Sequence, residues 1–142
     1  MKKKLLIFVV ILLTGCDYYD DSLKITNKTK MDIAVQETNR RDSIYFNNIE
    51  YYLSNTIVPD STINLSTSGK LGAWRRKIEN SPEKEIFIYI FAVDTLRKYQ
   101  GKKTMYDLFS QDRYIKRFEF SEKQLNDNNW DVVFDAPENY RK

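Results

Sequence analysis

Three acidic groupings have the residue types for acid–base work: Glu79, Glu83 and Glu85; Glu119 and Glu122; Asp131 and Asp135. Paired carboxylates cleave glycosidic bonds when one protonates the leaving oxygen and the other attacks or activates water. Each grouping reads equally as the solvated face of a charged element. Trp74-Arg75-Arg76-Lys77 sets an indole beside three cations, a combination that can stack on an acidic glycan and pair with its charge. The plainer account is a helix whose Trp packs inward while its cations meet water. Tyr45, Phe46, Tyr51 and Tyr52 offer flat faces for a sugar, or rings to fill a core or its rim. Tyr45, Tyr51, Tyr52, Trp74, Arg75 and Arg76 are therefore the candidate ligand contacts. No residue is nominated as catalytic.

What the chain lacks narrows the chemistry further. Among its 142 residues there is no histidine, and Cys16 is the single cysteine. That removes the commonest general base, the commonest metal ligand and the usual Ser-His and Cys-His pairs. Neither a metal nor a cofactor is expected. The formal charge of +3 resides in Lys2, Lys3 and Lys4; without them 20 basic residues face 20 acidic ones. A balanced domain has no electrostatic reason to bind nucleic acid.

Lys2 to Lys4 precede an apolar run from Leu5 to Leu13, closed by Thr14, Gly15 and Cys16. The run is shorter than the roughly 20 residues a spanning helix needs and fits the h-region of a secretory signal. Leu13-Thr14-Gly15-Cys16 resembles a bacterial lipobox. That resemblance implies a leader over 1–15, lipid on Cys16, and retention at the bacterial outer membrane, on its surface or periplasmic face. The membrane, reached through that lipid, is then the first partner. Asp17-Tyr18-Tyr19-Asp20-Asp21-Ser22 reads as an acidic, solvated tether over 16–22, and it resembles the surface-export signal of Bacteroides-type lipoproteins. Tyr18 and Tyr19 are placed to rest at the bilayer interface.

The elements that must position these groups follow from periodicity. Leu23 to Asn27 and Ile33 to Glu37 alternate as strands and read as a hairpin about the polar turn Asn27-Lys28-Thr29-Lys30. Ser43 to Leu53 has no clear period. Thr62 to Ser66 alternates again. Ala73 to Asn80 reads as a helix, and Glu85 to Val93, apolar on both faces, as a central strand. Asp94-Thr95 can cap a short helix through Tyr99, and Thr104 starts another. Tyr114 to Phe120 is a strand, Ser121-Glu122-Lys123-Gln124 a capping box, and Trp130 to Phe134 the last strand. The expected fold is mainly β: a small antiparallel β-sandwich with short helices in the connections. Its alternative is an α+β single sheet covered by helices. One globular domain spans 23–136, followed by a polar tail over 137–142.

The order of these segments, from Glu85-Ile86-Phe87-Ile88-Tyr89-Ile90-Phe91 to Asn129-Trp130-Asp131-Val132-Val133-Phe134, with Asn55-Thr56-Ile57-Val58-Pro59-Asp60-Ser61 upstream, resembles a group of small uncharacterised Bacteroides-type lipoproteins. The group has no assigned activity, so it implies a location and supplies no catalytic residues. A further resemblance, to the glycoproteins such bacteria export, implies candidate O-glycosylation at motifs of Asp, then Ser or Thr, then an apolar residue or Thr, which fall at Ser22, Ser43, Ser61 and Thr95. The same dipeptides are favoured at turns and caps. Together these features predict a non-enzymatic, membrane-anchored envelope lipoprotein acting as a binding or accessory module. Its partner would be an envelope or extracellular protein or glycan. A small carboxylate-dependent glycan hydrolase using Glu79, Glu83, Glu119 or Glu122 is the alternative.

Overall fold

A computed structural model of the chain describes residues 18–135. The leader, Cys16 and the tail over 137–142 lie outside the described residues. Within them the chain forms β1 (Tyr19–Asn27), β2 (Ile33–Thr38), α1 (Ile49–Ser54), β3 (Ser61–Ser68), α2 (Ala73–Glu79) and β4 (Glu85–Ala92). It continues through α3 (Val93–Tyr99), α4 (Met105–Ser110), β5 (Lys116–Ser121), α5 (Glu122–Asp127) and β6 (Asp131–Phe134). The strands make two three-stranded sheets, in the orders β3-β1-β6 and β2-β4-β5. The fold is mainly β with helices in its connections, as expected.

β4 explains why the sheets stack. Side chains alternate across a strand, and both rows of β4 are apolar. Ile86, Ile88 and Ile90 join Leu23, Ile25, Val132 and Phe134 of the other sheet, with Trp74 and Ile78 of α2, in one core. Phe87, Tyr89 and Phe91 point the other way, against Ile49, Tyr52, Val93, Leu96, Met105 and Leu108 of α1, α3 and α4. The molecule therefore has three layers: sheet, sheet and helices. The single-sheet alternative captured the helical cover and missed the second sheet. No buried side-chain nitrogen or oxygen among the described residues lacks a hydrogen-bond partner.

Several expectations about pairing are corrected. β1 and β2 are strands but not a hairpin: β1 pairs with β3 and β6, and β2 with β4. The turn between them is held by Asn27, fully buried. Its Nδ2 donates to the carbonyls of Met31 (2.9 Å) and Ile57 (3.1 Å). Its Oδ1 accepts from the amide (3.0 Å) and hydroxyl (2.7 Å) of Thr29. Those bonds steer the chain out of one sheet and into the other, where Ile33 bridges Ile57. Nor are the sheets wholly antiparallel, because β6 runs parallel to β1, with Ile25 opposite Val132.

Residues 19–22 of the expected tether are strand instead. β1 begins at Tyr19, so Tyr19 to Ser22 belong to the sheet, with a register shift between Asp20 and Leu23. Asp20 is 2% exposed. It accepts from the Ser22 hydroxyl (2.7 Å) and amide (3.2 Å), and from the amide of Trp74 (3.2 Å) at the start of α2. Burial pushes this carboxyl upward, and those hydrogen bonds more than offset it, so its pKa lies below the usual 3.8. The ambiguous stretch Ser43 to Leu53 is a loop followed by α1, capped by Asn48 accepting from the amide of Glu50 (2.8 Å). Asp94 and Thr95 do not cap α3, because β4 runs straight into it at Ala92. Ser121 and Gln124 do form their capping box.

Candidate functional site

One surface hollow has a volume of about 270 Å³ and is lined by Arg41, Asp42, Tyr89, Tyr106, Phe109, Ser110, Asp112, Tyr114 and Arg117. The strands set its floor. Tyr89 of β4 and Arg117 of β5 are directly opposite in register, as are Phe87 and Glu119. Both pairs face the helical layer. The Tyr89 ring meets Phe109 (4.9 Å between centroids) and Tyr114 (5.1 Å) edge to face. Such packing fixes each ring's direction. The Tyr89 hydroxyl donates to the carbonyl of Arg41, which ties the rim loop to the floor.

Charge at the rim is shared rather than free. Glu119 accepts both Arg117 (2.7 Å) and Arg41 (3.0 Å). Arg41 also lies 5.5 Å over the Phe87 ring. Tyr114 donates to Asp112 (3.0 Å). Burial pushes the Tyr89 phenol up to about 12, and burial with the Asp112 hydrogen bond raises Tyr114. Both stay neutral at physiological pH. They can donate and accept hydrogen bonds, and neither is poised as a general base. Burial works against the Arg117 charge, but Glu119 and the two tyrosines hold its pKa above the usual value. The hollow thus presents cations, carboxylates, neutral hydroxyls and ring edges, a surface suited to a polar ligand.

The nominated ligand residues do not converge. Tyr52 is 2% exposed and donates to Gln36 Oε1 (3.1 Å) inside the helix-facing core. Trp74 has no exposed surface, and its indole nitrogen donates to the carbonyl of Leu65 (3.3 Å). Neither ring can stack on a ligand, and both expectations are corrected. Tyr51 is exposed and stacks on Phe46 at 4.3 Å. Tyr45 bonds Asn39 (2.7 Å), with the Lys77 ammonium 4.9 Å from its ring. Arg75 pairs with Glu122 (3.3 Å). Arg76 donates to the carbonyls of Lys70 (3.0 Å) and Leu71 (3.5 Å).

The carboxylates are equally dispersed. Asp131 accepts from Thr26 (2.8 Å) across the first sheet. Of Glu79, Glu83, Glu119 and Glu122, Glu119 holds the two rim arginines of this hollow, and Glu83 lines a more open one that shares Arg41 and Asp42 with it. Among the described residues no group of three or more Cys, Asp and Glu could hold a metal ion. No helix among them is long and apolar enough to cross a membrane. Ser22, Ser43, Ser61 and Thr95 are all half-buried. The Ser22 hydroxyl is held by Asp20, and that of Ser61 donates to the carbonyl of Val58 (2.6 Å).

The hollow was missed because its residues come from separate segments. One signal was present: Tyr89 is the single hydroxyl in the helix-facing row of the most apolar strand. The alternation Arg117-Phe118-Glu119-Phe120 also places a charged row on one face of β5. Fold and site together define a small β-rich domain with a polar surface hollow. Compared with family models, curated proteins and solved structures, the chain finds no match.

Proposed function

We propose that the protein is a lipid-anchored lipoprotein of the bacterial envelope, a non-enzymatic module that binds an envelope or extracellular protein or glycan. Cys16 carries the anchor in this reading, supported by the lipobox-like Leu13-Thr14-Gly15-Cys16. The observation that supports binding is the hollow at Tyr89 and Arg117. Its two cations share one carboxylate, and its tyrosines are neutral donors set on a rigid ring cluster. Such a surface recognises polar, hydroxyl-rich or mixed-charge partners through many modest contacts.

The test is an array of envelope and extracellular polysaccharides and peptides, probed with wild type and Arg117→Ala. Binding that the variant loses supports the reading. Binding that the variant retains moves recognition away from the hollow. For the anchor, Cys16→Ala is expected either unprocessed or released as a soluble form. A processed form firmly retained on membranes contradicts lipidation. Protease shaving of intact cells then decides which membrane face carries the domain.

A further inference from the structure

We propose that the loop between β3 and α2 is a membrane-contacting prong, with Leu71 seated in the bilayer that holds the chain's own lipid. The inference rests on the lipid-anchored reading of Cys16. Leu71 is 86% exposed, and Tyr18 and Tyr19 are each 60% exposed.

The loop stands beside the point where the chain enters the fold. The Gly69 amide donates to the carbonyl of Tyr18 (2.8 Å), and Tyr19 lies opposite Ser68 in the sheet. Gly69 and Gly72 both have positive φ, at 127° and 82°. A Cβ on Gly69 would meet the Ala73 Cβ at 3.0 Å. The Arg76 guanidinium grips the carbonyls of Lys70 and Leu71 from behind. The buried Asp20 fastens the start of α2 to β1 through the Trp74 amide. Leu71 is therefore presented on a braced turn.

Reach then identifies the occupant. Cys16 and Tyr18 are two positions apart with Asp17 between them, so their Cα atoms lie within about 7 Å of each other even when the chain is extended. A sulfur joined to lipid sits near the boundary between headgroups and hydrocarbon. The headgroup layer is itself only about 5–8 Å deep on each side of the bilayer. A domain fastened so closely must rest this end on the surface. There, Tyr18 and Tyr19 suit the interface, Lys70 meets phosphates, and Leu71 reaches toward the acyl chains. Asp21 is also exposed nearby, so the attachment depends on the apolar side chain more than on charge. A protein-borne second contact of this kind orients a domain that the lipid alone would let tumble.

The lipidated full-length protein offers a direct test. Once the Cys16 sulfur is alkylated by the lipid's glyceryl carbon as a thioether, Leu71→Cys supplies the one reactive thiol and takes a nitrobenzoxadiazole label. Tyr106→Cys, on the outer helical layer, is the control. Both are reconstituted in phosphatidylethanolamine–phosphatidylglycerol vesicles, and intact mass establishes the lipid on Cys16. The expected result is a blue-shifted emission at position 71, most of it lost to a nitroxide placed shallowly on the acyl chain, with neither effect at 106. Lipid on Cys16 and flotation with vesicles, but no quenching at 71, overturns the prong and leaves the anchor standing. Equal quenching at 71 and 106 also overturns it. No lipid mass on Cys16 overturns the anchor, and the prong falls with it.

Discussion

On one face of β4, Ile86, Ile88 and Ile90, with no exposed surface, meet the other sheet across an apolar contact. On the opposite face, Phe87, Tyr89 and Phe91 meet short helices, and the aromatic row runs outward through Phe109 and Tyr114 to Arg117 and solvent. One strand thus supports a sealed layer and an open one. The difference lies in what covers each face. A sheet matches β4 along its length, whereas three separate helices leave a gap at one end. The gap is filled by side chains that carry hydroxyls and charge. Stability should therefore concentrate on the isoleucine face, and recognition on the tyrosine end of the other.

The sharpest way to break this comparison is Ile88→Ala. Its side chain is fully buried at the centre of the sheet–sheet core. Truncating it removes apolar contact and leaves a cavity, at a cost of about 2–5 kcal/mol. Denaturant unfolding should record the loss as a lower midpoint with an unchanged slope. A cost under about 1 kcal/mol would mean that the sheets are loosely packed and that the sealed layer is misassigned.

Asp20→Asn comes next, because it loosens the tie between β1 and α2 at the edge of that same sealed layer. The native carboxylate accepts three hydrogen bonds in a buried setting, and the loss should be about 1–3 kcal/mol at neutral pH. Its folded pKa is depressed, so the charged form is the stabilising one. The contribution is complete above the unfolded value near 3.8 and is lost as pH falls through the folded value below it. The stability gap between wild type and variant should therefore be constant near neutrality and close in strong acid. A gap that widens in acid would reverse the assignment.

Much of the sealed layer was legible in the sequence. β4 announced itself by apolar residues in both rows, and the Ser121–Gln124 box marked α5 because its bonds are local. Pairing was not legible, since Asn27 chooses between hairpin and crossover through the carbonyl of Ile57, thirty positions away. The acidic run Asp20-Asp21 looked solvated because the amide that buries Asp20 belongs to Trp74. The open layer was harder still. Its hollow is assembled from the 41–42 loop, β4, α4 and β5, and no one of these segments carries a recognisable pattern. Tyr52 and Trp74 illustrate the converse: rings that suit a binding platform in sequence serve as core once both flanks are covered.

Tyr89→Phe probes where the two regimes meet. It keeps the ring contacts with Phe109 and Tyr114 and removes the hydroxyl that holds the Arg41 carbonyl. The half-open site lets water replace part of that bond, so the cost should be about 0.5–1.5 kcal/mol. The rim loop should loosen more than the fold as a whole, and limited trypsin digestion should cut faster at Arg40 and Arg41. Unchanged cleavage there would show that the loop is held by other contacts.

The smallest expected effect on stability belongs to Glu119→Gln, and it is the most informative about the open layer. Glu119 pairs with Arg117 and Arg41, and the three side chains are 29%, 35% and 44% exposed. Ion pairs with this much solvent contribute only about 0–1 kcal/mol, so the unfolding midpoint should barely move. The charge balance of the hollow, however, changes by a full unit, and both guanidinium groups lose the carboxylate they share. A sulfated polysaccharide such as dextran sulfate should then bind the variant more tightly than wild type, with the gain disappearing at high salt. Ile88→Ala should show the opposite pattern, unstable but unaltered in binding per folded molecule. If Glu119→Gln instead destabilises the protein as strongly as Ile88→Ala, the arginine–glutamate cluster is a structural brace, and the division between a sealed and an open face of β4 does not hold.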